Sequence, residues 1–181
     1  MEIFALGITG LARSGKNTAA KFLVKKFGFV HFDFYRDVIV SLLRKKGKKA
    51  TKLNASKLGN ELRKKYGKGI MGKLLAEKIL KKVKRKKKAK IVITGIRSKA
   101  EIKEFERVLK TKLVLIEIYA PKKERFKRCK GLSWKDFVAR EKLDKGKGLD
   151  EVLKMADYRV RNVSRREMHQ KLKEIISKLL N

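Results

Sequence analysis

The 181-residue chain carries 43% hydrophobic and 39% charged residues, and its 52 Lys and Arg against 18 Asp and Glu give a net charge of +34. This length suits a single α/β domain, and the apolar content excludes a largely disordered chain. One cysteine, Cys129, excludes an intramolecular disulfide, and with only His31 and His169 beside it a Cys/His zinc site is excluded too.

In chain order, residues 2–9 read as a buried strand that ends at Gly10, and Ala19, Ala20, Phe22, Leu23, Val24 and Phe27 repeat at helical spacing up to Gly28. Residues 29–33 read as a second strand, followed by a helix through Val38, Ile39, Leu42 and Leu43 to Gly47. The Lys-rich stretch 48–88 keeps apolar spacing and reads as two or three amphipathic helices, with the basic run 81–90 as a solvated helix end. Residues 91–94 form a strand before Gly95, and Ser98 with Glu101 makes a capping box for a helix to about residue 110. After a strand at 113–119, Pro121 opens a helix and Ser133 with Asp136 caps another. Gly146 and Gly148 mark a loop, residues 157–162 an edge strand, and Ser164 with Glu167 the cap of a last helix. Strands alternating with helices imply a parallel sheet covered on both faces, with ligands at the carboxyl ends of its strands. That rim would gather Gly10–Thr18, Asp33, Gly95–Ser98 and Tyr119–Arg128.

Gly10-Leu11-Ala12-Arg13-Ser14-Gly15-Lys16 fits G-x-x-x-x-G-K, in which backbone N–H groups cradle a phosphate, the next helix offers its N-terminus, and Lys16 adds a full charge. The spacing recurs at Gly67, Gly72 and Lys73, but there no strand precedes it and Leu74, not a hydroxyl residue, follows the lysine. Asn17 stands where the pattern has Ser or Thr for Mg²⁺, with Thr18 one position later; Asn17 and Thr18 are the candidate metal ligands, with a water in the Asn17 position or a phosphate contact from Thr18 as the alternatives.

Together GLARSGKNT, HFDFYRD, ITGIRS and ERFKR resemble the P-loop nucleotide kinases, above all the dephospho-CoA kinase-like and nucleoside or deoxynucleoside monophosphate kinase branch, over nearly the whole chain. The likeness implies one three-layer P-loop domain over 1–181, a parallel sheet of about five strands, an acceptor-binding helical region near 34–88 and a mobile lid near 121–150. It implies ATP and Mg²⁺ as cofactors, with Gly10, Arg13, Ser14, Gly15, Lys16, Asn17 and Thr18 on the phosphates and Asn162 on the adenine. Asn162 also reads as a turn former. On the acceptor side it implies Asp33 at the attacking hydroxyl, with Arg36 and Arg97 on the acceptor; Asp33 alternatively caps the following helix. Arg125, Arg128 and Arg140 would close over the transferring phosphate. Thr94 stands where relatives often carry Asp for the metal shell. The implied activity is transfer of the ATP γ-phosphate to dephospho-CoA or a nucleoside monophosphate.

No apolar run approaches the roughly 20 residues of a membrane span, and the N-terminus does not read as a signal peptide, so the sequence points to a cytoplasmic protein. The charge has two readings, a composition bias toward Lys or dedicated nucleic-acid recognition, and by itself it implies non-specific nucleic-acid binding. With Thr94 it leaves an alternative, a nucleotide-dependent ATPase or binding module acting on RNA or an RNA–protein assembly.

Overall fold

Alternation along β1 (Glu2–Thr9) decides the layering: Leu6 and Ile8 are buried on one side of the strand and Ala5 on the other. A computed structural model describes residues 2–144 and 148–180. β1 pairs in parallel with β3 (Lys88–Thr94) and β4 (Leu113–Tyr119), and β2 (Val30–Asp33) and β5 (Tyr158–Arg161) complete a five-stranded sheet in the order β2-β3-β1-β4-β5. A parallel sheet needs cover on both faces. On one, Leu6, Ile8, Val92 and Ile118 meet α1 (Lys16–Phe27) and α9 (Arg165–Leu180) through Ala20, Leu23, Met168 and Leu172. On the other, Ala5, Phe32, Ile91 and Leu115 meet α4 (Ile70–Val83) and α5 (Lys99–Leu109) through Leu75, Ile79, Ile102 and Phe105. The two edge strands are four residues each. In β5, Val160 is buried while Arg159 and Arg161 are exposed, as an edge strand requires.

Gly72 has a packing role. A Cβ there would lie 2.1 Å from the Glu101 carbonyl oxygen, so α4 and α5 approach backbone to backbone. The second glycine–lysine spacing belongs to this helix contact and to no phosphate loop.

Three expectations shift. Residues 34–40 form a π-helix, Phe34–Val40, ahead of the short α2 (Ser41–Lys45). Asp33 accepts the Arg36 N–H at 2.9 Å while Asp37 accepts the Asp33 N–H at 2.7 Å. This reciprocal cap spans one residue more than a capping box and accompanies the wider winding. Pro121 caps α6 (Lys122–Lys127) from outside instead of occupying its first turn. A short helix α8 (Asp150–Lys154) follows where a loop was expected past Gly148; Gly146 lies outside the described residues. The stretch between contains α3 (Lys52–Tyr66), α4, and α7 (Trp134–Asp144), whose Asp136 N–H bonds Ser133 Oγ at 3.1 Å. Among the described residues no helix is long and apolar enough to cross a membrane.

Candidate active site

All five strands being parallel, their carboxyl ends share one rim. There the chain leaves β1 through Gly10 (φ 140°), Arg13 (φ 63°) and Gly15 (φ 109°) before α1 starts at Lys16. A Cβ on Gly10 would meet the Ile118 carbonyl and one on Gly15 the Asn162 amide, so both glycines are required by φ and by space. Lys16 Nζ donates to the Gly10 and Leu11 carbonyls, each at 2.8 Å.

The loop carbonyls are pinned from outside. Asn162 Nδ2 donates to Ser14 O at 2.6 Å, and Arg128 donates to Ser14 O (3.3 Å), Arg13 O (3.2 Å) and Asn162 O (2.7 Å). Arg125 lies 3.5 Å from Ala12 O. In a planar trans peptide the N–H points opposite its carbonyl, so pinning the carbonyls of Ala12 to Ser14 turns the N–H groups of Arg13 to Gly15 to the other side. Ser14 N–H closes a turn onto Leu11 O at 3.2 Å. The Ser14 hydroxyl is buried and has no hydrogen-bond partner among the described residues, an orphan that an anionic oxygen in the loop would satisfy.

Arg125 departs from its expected place over the nucleotide. It is 3% exposed, ion-paired with Glu141, bonded to Ala120 O at 3.0 Å and seated on the Phe137 ring. Its guanidinium therefore ties α6 to α7. Asn162 is likewise buried with its amide nitrogen on Ser14 O, a brace for the loop. The Arg140 side chain lies outside the described residues.

On the neighbouring strands, Asp33 and Thr94 are Cα partners, and Thr94 in turn pairs with Ile8 of β1. Thr94 Oγ1 donates to Asp33 Oδ2 at 2.6 Å, and His31 Nε2 lies 2.9 Å from Thr94 Oγ1. Asp33 thus caps the π-helix and sits at the end of β2 on the rim. Arg36 is exposed and its guanidinium bonds Asp37 (2.7 Å) and His31 O (3.2 Å). Burial favours the acid form of Asp37, but the hydrogen bonds from Arg36 and the Asp33 N–H outweigh it and hold its carboxyl below the ordinary range. Burial first, then the Arg36 charge, lowers His31. Arg97 is exposed at the start of the loop after β3, its N–H bonded to Glu101 at 2.9 Å. Asn17 is exposed and Thr18 half-buried on the first turn of α1. Among the described residues no three His, Cys, Asp or Glu side chains cluster to hold a metal.

No protein-family model matches the chain. The UPF0200 protein PH1008 of Pyrococcus horikoshii is 31% identical over 183 residues, with 96% of each chain covered. The chain belongs to the UPF0200 family. A UPF0200 protein of Thermococcus onnurineus is 30% identical over 96% of each chain. Among solved structures this UPF0200 chain is similar to TT1252 from Thermus thermophilus, with TM-score 0.64, 21% identity and 99% of each chain covered. A shikimate kinase from Bacteroides thetaiotaomicron gives 0.55 at 14% identity over 98% of each chain. A gluconokinase from Sinorhizobium meliloti gives 0.54 at 11%, over 97% of this chain and 95% of its own. The fold of this UPF0200 chain is accordingly that of the P-loop kinases.

Sequence reasoning missed three partners in this UPF0200 site. His31 sits two residues before Asp33 on β2, so strand alternation alone puts both on one side. Asp37 carried a signal as well, an acid at capping distance from Asp33. Nothing in the sequence ties Glu141 to Arg125.

Proposed function

We propose that this protein is an ATP-dependent phosphotransferase that moves the γ-phosphate to a small nucleotide-type acceptor, dephospho-CoA or a nucleoside or deoxynucleoside monophosphate. The observation that carries this reading is the adjacency, across paired strands β1, β3 and β2, of the Gly10–Thr18 loop and the Asp33 carboxylate. A phosphate cradle beside a carboxylate is what transfer to a hydroxyl or phosphate acceptor needs.

The orphaned Ser14 hydroxyl and the glycine cradle at Gly10 and Gly15 fit a triphosphate. On binding, Lys16 exchanges its two carbonyl partners for phosphate oxygens. Asp33 orients the acceptor and takes its proton where the acceptor is a hydroxyl. Arg36 and Arg97 supply the charge that grips an anionic acceptor. Arg125, Arg128 and Asn162 act as positioning residues that hold the loop, and Arg140 stays a lid candidate. The amide oxygen of Asn17 and hydroxyl of Thr18 are hard donors suited to Mg²⁺, which takes few protein ligands beside phosphate and water. Bound there, the ion would neutralise charge on the β- and γ-phosphates.

The test is an ATP-consumption screen of the purified protein against the common ribo- and deoxynucleoside monophosphates and dephospho-CoA, with Lys16→Ala as control. One acceptor is expected to stimulate turnover and the control to be folded and inactive. No stimulation by any acceptor in the panel would remove the reading.

A further inference from the structure

The Thr94 hydroxyl sits between two groups that compete for it. It is 1% exposed, at the end of β3, and an O–H has a single hydrogen to donate. That hydrogen goes to Asp33 Oδ2, 2.6 Å away. His31 Nε2 is 2.9 Å from Thr94 Oγ1 itself. With its one hydrogen already given to a carboxylate, Thr94 can only accept from His31, so Nε2 must carry the proton.

We infer that His31 and Thr94 are positioning residues for Asp33, linked His31 Nε2–H to Thr94 Oγ1–H to Asp33 Oδ2, with His31 held as the Nε2–H tautomer. The strand geometry builds this without loops. Asp33 and Thr94 face each other across β2 and β3, and His31 precedes Asp33 by two residues on the same side of the pleat. Oδ1 of Asp33 is fixed separately by the Arg36 N–H at 2.9 Å. Each carboxylate oxygen therefore has one fixed partner, which sets the plane of the group and leaves one acceptor position on each. The charged groups around His31 are Arg36, Asp33 and Asp37, and burial together with Arg36 favours the neutral ring, the form in which a tautomer is defined.

This inference rests on Asp33 as the acceptor-side acid, so the test has one arm that needs turnover and one that does not. With only two histidines in the chain, nitrogen-15 imidazole spectra resolve both, and His169→Gln assigns them. His31 is expected as the Nε2–H tautomer in the full chain, and Thr94→Val, which removes the acceptor of that hydrogen, is expected to shift the His31 Nε2 resonance. A wild-type Nδ1–H tautomer, or an unchanged His31 signal in Thr94→Val, would overturn the relay even in a protein for which no acceptor is found. Where turnover is measurable, Thr94→Val and His31→Phe should lower kcat on the order of 10–100-fold, as misplacement of a catalytic group does, with KM for ATP nearly unchanged. Thr94→Ser and His31→Gln, which keep a hydroxyl and an N–H, should recover most of kcat. Equal loss in Thr94→Ser and Thr94→Val, with both folded by circular dichroism, would overturn the positioning role.

Discussion

The side-chain amide of Asn162 donates a 2.6 Å hydrogen bond to the carbonyl of Ser14, joining the end of the last strand to the phosphate loop across 148 residues of sequence. Both groups are buried, so losing the donor leaves the Ser14 carbonyl to Arg128 alone. Asn162→Ala is expected to cost about 1–3 kcal/mol of stability, read by denaturant unfolding, and to weaken ATP binding by calorimetry. Asn162→Asp should be worse than Ala, since a carboxylate facing a carbonyl repels it and has no hydrogen to donate.

That contact also marks where sequence reading stopped. The strand, glycine turn and helix of residues 2–27 were legible because each signal is local: an apolar run, then Gly10 and Gly15, then apolar residues at helical spacing. The capping box of Ser98 with Glu101 was legible for the same reason. The π-helix was not, because periodicity over seven residues does not separate one winding from another when Asp33 and Asp37 set the hydrogen bonds. Arg125 was assigned by its neighbours in sequence, yet its direction is fixed by Glu141 and Phe137 on the next helix.

The two glycines of similar spacing should separate cleanly on substitution. At Gly15, φ is 109° and an added Cβ meets the Asn162 amide, so Gly15→Ala is expected to abolish ATP binding through the loop. At Gly72 the added Cβ meets the Glu101 backbone, and Gly72→Ala is expected to destabilise by about 1–3 kcal/mol as overpacking does, with ATP affinity unchanged in the folded fraction. Thermal melts with and without ATP check both: the nucleotide should raise the midpoint of Gly72→Ala and leave that of Gly15→Ala unmoved.

Folding stability is expected to fall as pH drops through the ordinary imidazole value of 6.5. Burial and Arg36 lower the folded-state pKa of His31, so the unfolded chain takes up a proton there first. The stabilisation is thus present above 6.5 and lost as pH falls through the lower folded value. His169 is lowered in the same sense by burial and Arg165. Glu117 works oppositely, since burial raises its carboxyl against the partial relief of Arg159. The check is a series of thermal midpoints across this range for the wild type and His31→Gln. The variant should show the shallower slope, and an equal slope in both would contradict the assignment.

Arg125 and Glu141 form a pair in which one partner is 3% and the other 12% exposed, so removing either leaves a charge in a poorly solvated place. Arg125→Met is expected to cost about 3–5 kcal/mol, the range for breaking a buried pair from one side. Adding Glu141→Leu should return most of that loss, because the stranded carboxylate goes with it. A catalytic arginine reaching over the nucleotide gives a different pattern: little change in stability for the single variant, and no recovery of anything in the double. Denaturant unfolding of the two singles and the double, with ATP affinity measured on each folded protein, separates the cases. The double variant should regain the fold and keep a modest defect in ATP binding, since Arg125 also lies against the Ala12 carbonyl at the back of the phosphate loop.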